Sequence, residues 1–179
     1  MKHLTSLSRM LAFVLLSFWG IGCGKGDPLP TVDQVDLERY SGTWFEIARL
    51  PNTFEEGLKC VTANYTILDD GRVGVTNKGV NERTGEAEVA EGKARVKDQN
   101  EPGQLRVVFF WPFGGDYFII ELDSDYRYAL VGAPDREYLW ILAREKQLDE
   151  PILARLIERA KVLGFPVEQL IFPVHDCES

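Results

Sequence analysis

The chain has 179 residues, 28 acidic and 20 basic side chains, and a formal net charge of −8. This length suits a single domain with a sizeable core, and 45% of the residues are hydrophobic. Because phosphate contacts need clustered Lys and Arg, the acidic balance argues against nucleic-acid binding.

The first residues have the pattern of an export signal. A basic start precedes an apolar run from Met10 to Trp19, which is too short for a transmembrane helix of ~20 apolar residues. The run leads into Gly20-Ile21-Gly22-Cys23, which resembles the cleavage box of bacterial lipoproteins, although Leu is usual at the place of Gly20. We therefore predict a lipoprotein signal peptide over residues 1–22 and acylation of Cys23. A secreted soluble protein is the alternative.

The predicted cleavage leaves 157 residues, and the net charge changes from −8 to −10 because Lys2 and Arg9 are lost with no acidic residue. An Asp directly after the acylated Cys would resemble an inner-membrane retention signal of bacterial lipoproteins. Gly24 stands at this position instead, which favours the periplasmic face of the outer membrane. Residues 23–35 are rich in Gly and Pro and are predicted to form a lipidated tether. Residues 36–179 are predicted to form the folded barrel domain described below.

The chain contains three cysteines. With Cys23 assigned to lipid, Cys60 and Cys177 form an even pair, and an oxidising periplasm favours a disulfide between them. Two unrelated free thiols are the alternative.

Eight short strand-like runs follow the tether, and each ends at turn-forming residues. They are predicted at Trp44–Leu50, Cys60–Leu68, Val73–Asn81, Glu86–Val96, Gln104–Phe110, Asp116–Asp123, Tyr126–Gly132 and Tyr138–Ala143. Short connections between them, such as Asp69-Asp70-Gly71 and Gly114-Gly115, favour antiparallel neighbours. The sequence therefore predicts an all-β, eight-stranded antiparallel up-and-down β-barrel, since closure removes the exposed sheet edges.

One α-helix is predicted after the last strand. Asp149 can cap it, Pro151 stands in its first turn, and Gly164 and Pro166 end it. Its apolar stripe consists of Ile152, Leu153, Leu156, Ile157, Ala160 and Leu163. Several strands are apolar on both faces, so we expect this C-terminal helix to pack on the outside of the barrel.

Three sequence motifs are expected to meet at one end of the barrel. In a meander the connections alternate between two ends, so Gly42-x-Trp44, Asp125-Tyr126 and Arg144 share an end. The Arg144 guanidinium is predicted to lie over the Trp44 ring and to donate to nearby carbonyls. This contact is structural rather than catalytic.

These motifs resemble the lipocalin family in their order and spacing, over essentially the whole mature chain. Gly42–Arg49, Asn77–Gly79 and Pro134–Arg144 are most similar to bacterial lipocalins of the outer-membrane lipoprotein type, close to apolipoprotein D. The resemblance implies non-catalytic binding, storage or transport of fatty acids, phospholipids or lysophospholipids for outer-membrane maintenance. A homodimer is a further possibility.

The ligand is expected inside the barrel and at its open end, opposite the three motifs. The expected ligand contacts are Phe54, Tyr65, Phe109, Trp111, Tyr117, Ile119, Tyr128, Leu130 and Trp140. A register error of one residue exchanges inward and outward positions, and rings that simply fill the barrel are the alternative. Arg49, Arg106 or Arg127 can meet an acidic head group if one points to the mouth; solvated surface charge is the other interpretation.

No catalytic residue, metal or cofactor is predicted. His3 leaves with the signal and His175 lies in the tail, so a hydrolase would lack a general base. No His or Cys cluster has metal-ligand spacing, and no Gly-rich loop can hold a phosphate. Two alternatives stay open: a membrane-tethered interaction module with a filled barrel, and a lipocalin-fold enzyme that uses Glu46, Glu121 or Asp116.

Overall fold

The structure, a computed structural model, describes residues 27–110 and 113–177. Eight antiparallel strands form a closed barrel in which each strand pairs with the next and the last pairs with the first. They are β1 (Gly42–Arg49), β2 (Leu58–Ile67), β3 (Val73–Asn81), β4 (Ala87–Val96), β5 (Gln104–Phe110), β6 (Phe113–Leu122), β7 (Tyr128–Gly132) and β8 (Leu139–Ala143). The predicted fold is confirmed.

The largest difference from the predicted strands is at Gly114 and Gly115, which were expected in a turn but lie within β6. A Cβ on Gly114 would come within 2.7 Å of the carbonyl oxygen of Val107 on β5. The missing side chain therefore lets the two strands approach closely where their register shifts. At the other end of β6, Tyr126 has a positive φ of 59° and belongs to the turn, so β7 begins later than predicted.

Among residues 27–110 and 113–177, two α-helices accompany the barrel. α1 (Leu37–Tyr40) is a single turn capped by the Asp36 carboxylate, and it is too short for a periodic pattern to reveal. α2 (Glu150–Val162) is the predicted C-terminal helix, although the Asp149 side chain makes no capping hydrogen bond. A 3₁₀ turn follows at Val167–Gln169. Within the described ranges, no helix is long and apolar enough to cross a membrane.

The barrel wall separates two apolar clusters. The inner cluster surrounds Trp44 and includes Ile119 and Val131. The outer cluster joins the strands to Leu156 and Ala160 of α2, both fully buried. Burial on both faces explains why several strands are apolar throughout, and it confirms the predicted place of the helix.

Tyr128 and Leu130 belong to the outer cluster, so the prediction that they face the barrel interior is wrong. Ala129 and Val131 take the inward positions of β7, because side chains alternate along a strand. The outward residues are large and apolar because α2 covers them.

Part of the predicted tether packs against the barrel. Leu29 is only 5% exposed and lies in the outer cluster, and the Val32 N–H donates to the Ile119 carbonyl over 2.9 Å. Pro and Gly suggested an unattached segment, but Leu29 and Val32 supply apolar contacts that the barrel surface accommodates. Leu29 and Val32 of the predicted tether are therefore part of the folded domain.

Candidate functional site: a cavity closed by the three motifs

The three motifs meet at the closed end of the barrel. The Arg144 guanidinium lies 3.9 Å from the centre of the Trp44 ring, which is fully buried. Arg144 also donates to the carbonyl oxygens of Thr43, Tyr126 and three residues around α1, namely Arg39, Tyr40 and Ser41. The predicted meeting of these motifs is therefore confirmed, and one side chain holds three chain segments together.

Gly42 and Tyr126 take part in the same arrangement. Gly42 has a positive φ of 93°, and a Cβ there would lie 3.3 Å from the Arg144 guanidinium. The Tyr126 hydroxyl accepts from the Asp36 N–H over 2.8 Å, while the Asp125 N–H donates to the Asp123 carboxylate. The closed end is thus fixed mainly by hydrogen bonds to the backbone.

A cavity of about 550 Å³ opens toward the opposite end. This volume lies within the ~300–1,000 Å³ of small-molecule sites. Five of the residues predicted to contact a ligand line it: Phe54, Tyr65, Phe109, Tyr117 and Trp140. Aliphatic side chains, including Val61, Val75 and Val107, complete a mostly apolar wall. Ligand contact by these residues stays a prediction.

The other predicted ligand contacts lie elsewhere. Ile119 is fully buried in the inner cluster, toward the closed end. Tyr128 and Leu130 face α2, where the Arg155 guanidinium lies 5.7 Å from the Tyr128 ring centre. Trp111 lies outside the described residues.

Hydroxyl groups collect at the bottom of the cavity. The Tyr117 hydroxyl lies 2.7 Å from that of Tyr40 and 2.8 Å from that of Tyr65. Burial is the main cause that raises the pKa of all three hydroxyls above the ordinary value, so they stay protonated donors. Higher in the wall, the buried Asn77 Oδ1 has no hydrogen-bond partner among the described residues. The cavity therefore offers a few polar groups within an apolar wall.

A network of buried charges connects the cavity to the β1–β2 loop. The Arg49 guanidinium donates to the Glu46 carboxylate over 2.6 Å and to the Glu55 carbonyl over 2.7 Å. The Glu55 carboxylate accepts from the Asn52 amide over 2.6 Å and from the Trp140 indole over 3.1 Å. All three charged residues are buried. Their contacts fix the loop that carries Phe54 at the mouth.

This network contains two carboxyl groups and one cation. Burial, followed by repulsion from Glu55, raises the pKa of the Glu46 carboxyl to about 8, against the attraction of Arg49. The Glu55 carboxylate has further donors in the Asn52 amide and the Trp140 indole. Near neutral pH, Glu46 is then mainly protonated and presents an uncharged polar group to the cavity.

Glu46→Gln is therefore expected to stabilise the protein as the pH rises. Between pH 4.5 and about 8, the Glu46 carboxyl is mainly protonated in the folded wild type and mainly ionised in the unfolded chain. The free energy of unfolding of the wild type therefore falls as the pH rises through this window. Gln cannot titrate, and we expect the variant to gain roughly 2 to 3 kcal/mol relative to the wild type between pH 5 and pH 7. Urea unfolding at both pH values measures the difference. If the free energies of unfolding of the variant and the wild type differ by the same amount at pH 5 and pH 7, Glu46 is not protonated in the folded state.

The candidate head-group cations have different surroundings. Arg49 pairs with Glu46 in the buried network, and Arg127 pairs with Asp123 at the closed end over 2.8 Å. Arg106 lines the cavity, where Asp116 lies 3.6 Å from its guanidinium. Of these three arginines, Arg106 is the one that lines the cavity, and it is not part of the buried network.

Among the candidate carboxylates, Glu46 and Asp116 line the cavity, whereas Glu121 pairs with Arg155 of α2.

A disulfide joins Cys60 to Cys177 and holds the C-terminal tail beside the barrel. The Cys60 N–H donates to the Val174 carbonyl over 2.8 Å, and Ile171 pairs with Arg49 through the backbone. His175 lies 2.8 Å from the carbonyl oxygen of Glu46 through Nε2. Asp176 lies close to both sulfurs, but the disulfide removes them as metal ligands. The predicted pairing is present.

Sequence reasoning missed part of the polar lining. Glu46 was named from the sequence only as a candidate inward carboxylate of the enzyme alternative; its position two residues after Trp44 also places it inside the barrel by strand alternation. No comparable signal marks Glu55, because a loop residue has no periodicity. Asn77 was noted only as part of a family motif, although it follows Val75 by two residues and takes the next inward position of β3.

The comparisons with known proteins agree with this geometry. The family model described as a lipocalin-like domain matches residues 35–175. The chain belongs to the lipocalin family. This lipocalin is 41% identical over 166 residues to the outer membrane lipoprotein Blc of Vibrio cholerae, covering 92% of this chain and 97% of that protein. It is 40% identical over 169 residues to the protein of the same name from Escherichia coli K12, covering 93% and 96%.

More distant relatives include apolipoprotein D of Macaca fascicularis, which is 34% identical over 133 residues and covers 70% of this lipocalin and 69% of that protein. Among solved structures, insecticyanin from the tobacco hornworm Manduca sexta is similar with a TM-score of 0.67. It is 22% identical and covers 83% of this chain and 85% of that one, so it bears on the fold alone. Membership of the family supports the binding of small lipophilic molecules.

Proposed function

We propose that this lipocalin binds a single acyl chain of a fatty acid, phospholipid or lysophospholipid in its cavity, for storage or transport during outer-membrane maintenance. It acts without catalysis and is anchored through acylated Cys23 to the periplasmic face of the outer membrane. Cys23 lies outside the described residues, and its acylation rests on the sequence pattern. The observation that carries the proposal is the mostly apolar cavity of about 550 Å³.

Burial of methylene groups would drive binding. At ~0.8 kcal/mol for each buried methylene, a long acyl chain gains ~11 to 13 kcal/mol before the costs of association. Ordering the chain and losing its free motion remove a large part of this gain, so we expect dissociation constants between ~1 nM and ~1 µM. The open cavity argues against the filled barrel as a pure interaction module.

Filling the cavity tests the proposal. Ala63 lines the cavity wall on β2, so Ala63→Trp is expected to weaken uptake of a fluorescent fatty acid by the delipidated protein at least tenfold. Ala87, exposed on β4, provides the matched control, and Ala87→Trp is expected to bind as the wild type does. Titrations followed by fluorescence measure both. Saturable binding that Ala63→Trp leaves unchanged would reject the cavity as the ligand site.

The anchor is tested separately. Cys23→Ser is expected to release the protein from the membrane fraction into the soluble periplasmic fraction, because it removes the acylated side chain. Fractionation followed by immunoblotting gives the measurement. If the variant stays in the membrane fraction, the proposed attachment is wrong, and the ligand titrations are unaffected by that result.

A further inference from the structure

We propose that the open end of the barrel faces the lipid bilayer that holds the acylated Cys23, so that the cavity mouth lies at the membrane surface. This inference rests on the proposed acylation of Cys23. It concerns the orientation of the molecule on the membrane, whereas the proposed function concerns what the cavity holds.

The first argument is the place where the described chain begins. The Asp27 carbonyl accepts a hydrogen bond from the Arg136 guanidinium over 2.6 Å. Arg136 lies in the β7–β8 connection, which is at the open end beside the mouth residues Tyr138 and Phe54. From Asp27 the chain runs along the outside of the barrel to Asp36, which contacts Tyr126 at the closed end. The tether therefore leaves the barrel at its open end.

The second argument is the length of the tether. Three residues lie between Cys23 and Asp27, so the Cα atoms of Cys23 and Asp27 are at most ~14 Å apart even in a fully extended chain. A ten-residue strand such as β2, tilted as in a closed barrel, spans ~25 Å along the barrel axis. An anchor at Cys23 therefore cannot reach a membrane at the closed end. The acyl chains stay near the mouth.

The third argument is the distribution of exposed apolar side chains. Seven large apolar residues are exposed among the described residues, and six of them lie toward the open end. They are Phe54, Val89, Val162, Ile171, Phe172 and Val174, and the exception is Ile67 at the end of β2. Phe172 and Val174, 52% and 56% exposed, belong to the tail segment that pairs with the ends of β1 and β2. Single exposed apolar residues are ordinary, but this asymmetry matches a surface that meets lipid.

Each of these segments is held in place by a specific contact. The Arg136 guanidinium also donates to the Leu163 carbonyl over 3.2 Å, which places the end of α2 and Val162 at the same end as the tether. The Cys60–Cys177 disulfide holds the tail segment that contains Phe172. Since the mature chain carries a net charge of −10, apolar contact and the acyl anchor, rather than attraction to anionic lipid, would hold this end at the membrane.

Photo-crosslinking of the full acylated protein in phosphatidylethanolamine and phosphatidylglycerol vesicles tests the orientation. The photoreactive residue p-benzoylphenylalanine replaces Phe172 at the open end or Asp69 in the exposed β2–β3 turn at the closed end. We expect at least five times more lipid crosslinking from position 172 than from position 69. Equal yields, or a higher yield from position 69, would overturn the proposal.

One further variant and one further measurement separate the causes. Arg136→Ala removes the donor to Asp27 and is expected to lower the ratio of the two yields at least twofold; an unchanged ratio would show that this contact does not set the orientation. Fluorescent fatty acid uptake, measured on the same preparations in detergent, reports the cavity independently. Normal uptake with equal crosslinking yields would reject the orientation alone, whereas lost uptake with the expected higher yield from position 172 would reject the cavity function alone.

Discussion

Replacing Cys60 and Cys177 together with Ser is expected to lower the free energy of unfolding by about 4 to 5 kcal/mol. The disulfide joins residues 117 positions apart, and closing a loop of this length removes much conformational freedom from the unfolded chain. The tail contacts of Ile171 and Val174 are backbone hydrogen bonds that do not involve the sulfurs, so we expect the variant to keep them and the difference to report mainly the covalent link. Urea unfolding of the oxidised wild type and the double variant provides the measurement.

A reductant supplies the control for this prediction. The wild type with a reduced disulfide should unfold at the same urea concentration as the double Ser variant, and the variant should not respond to reductant. If the oxidised wild type and the variant unfold together, the pairing of Cys60 with Cys177 contributes nothing to stability.

Arg144→Ala is expected to lower the free energy of unfolding by about 3 to 4 kcal/mol. The variant loses the contact with the Trp44 ring, worth about 0.5 to 2 kcal/mol, and leaves several carbonyls at the closed end without their donor. Because this site lies at the end opposite the mouth, fatty acid affinity should change less than twofold under conditions in which the variant is folded. Equal stability combined with lost binding would contradict the structural role of Arg144.

Arg127→Ala is the matched control, since Arg127 belongs to the same end of the barrel. Its guanidinium pairs with Asp123 but is 64% exposed. The Asp123 carboxylate is buried, but in this variant it keeps the backbone N–H donors of residues 125 and 127, so we expect a smaller loss of stability than for Arg144→Ala. Comparable losses in the two variants would mean that charge at this end, rather than the specific contacts of Arg144, provides the stability.

The barrel could be predicted because its causes are local and repeated. Turn residues at short intervals separate the strands, and alternation of the connections brings Trp44 and Arg144 to one end without knowledge of the register. The position of α2 followed in the same way, from strands that are apolar on both faces. The short helix α1 escaped notice because one turn carries no periodicity.

The ligand-facing residues were harder to predict, because each assignment depends on the register. A shift of one residue in β7 exchanged Tyr128 and Leu130 for Ala129 and Val131. The buried pair of Glu46 and Glu55 depends on a loop that folds back onto its own strand, and no sequence pattern specifies that path. Likewise, Leu29 packs on the barrel although the surrounding Pro and Gly residues are typical of a free linker.

The pairing of the first strand with the last has a consequence for biogenesis. A chain that is still being synthesised or translocated lacks β8, so β1 has no second neighbour and its edge remains unpaired. The second cysteine of the disulfide, Cys177, also comes after β8 in the chain. The barrel can therefore close, and the disulfide can form, only after β8 and Cys177 have emerged, and until then the edge of β1 stays open to wrong pairing.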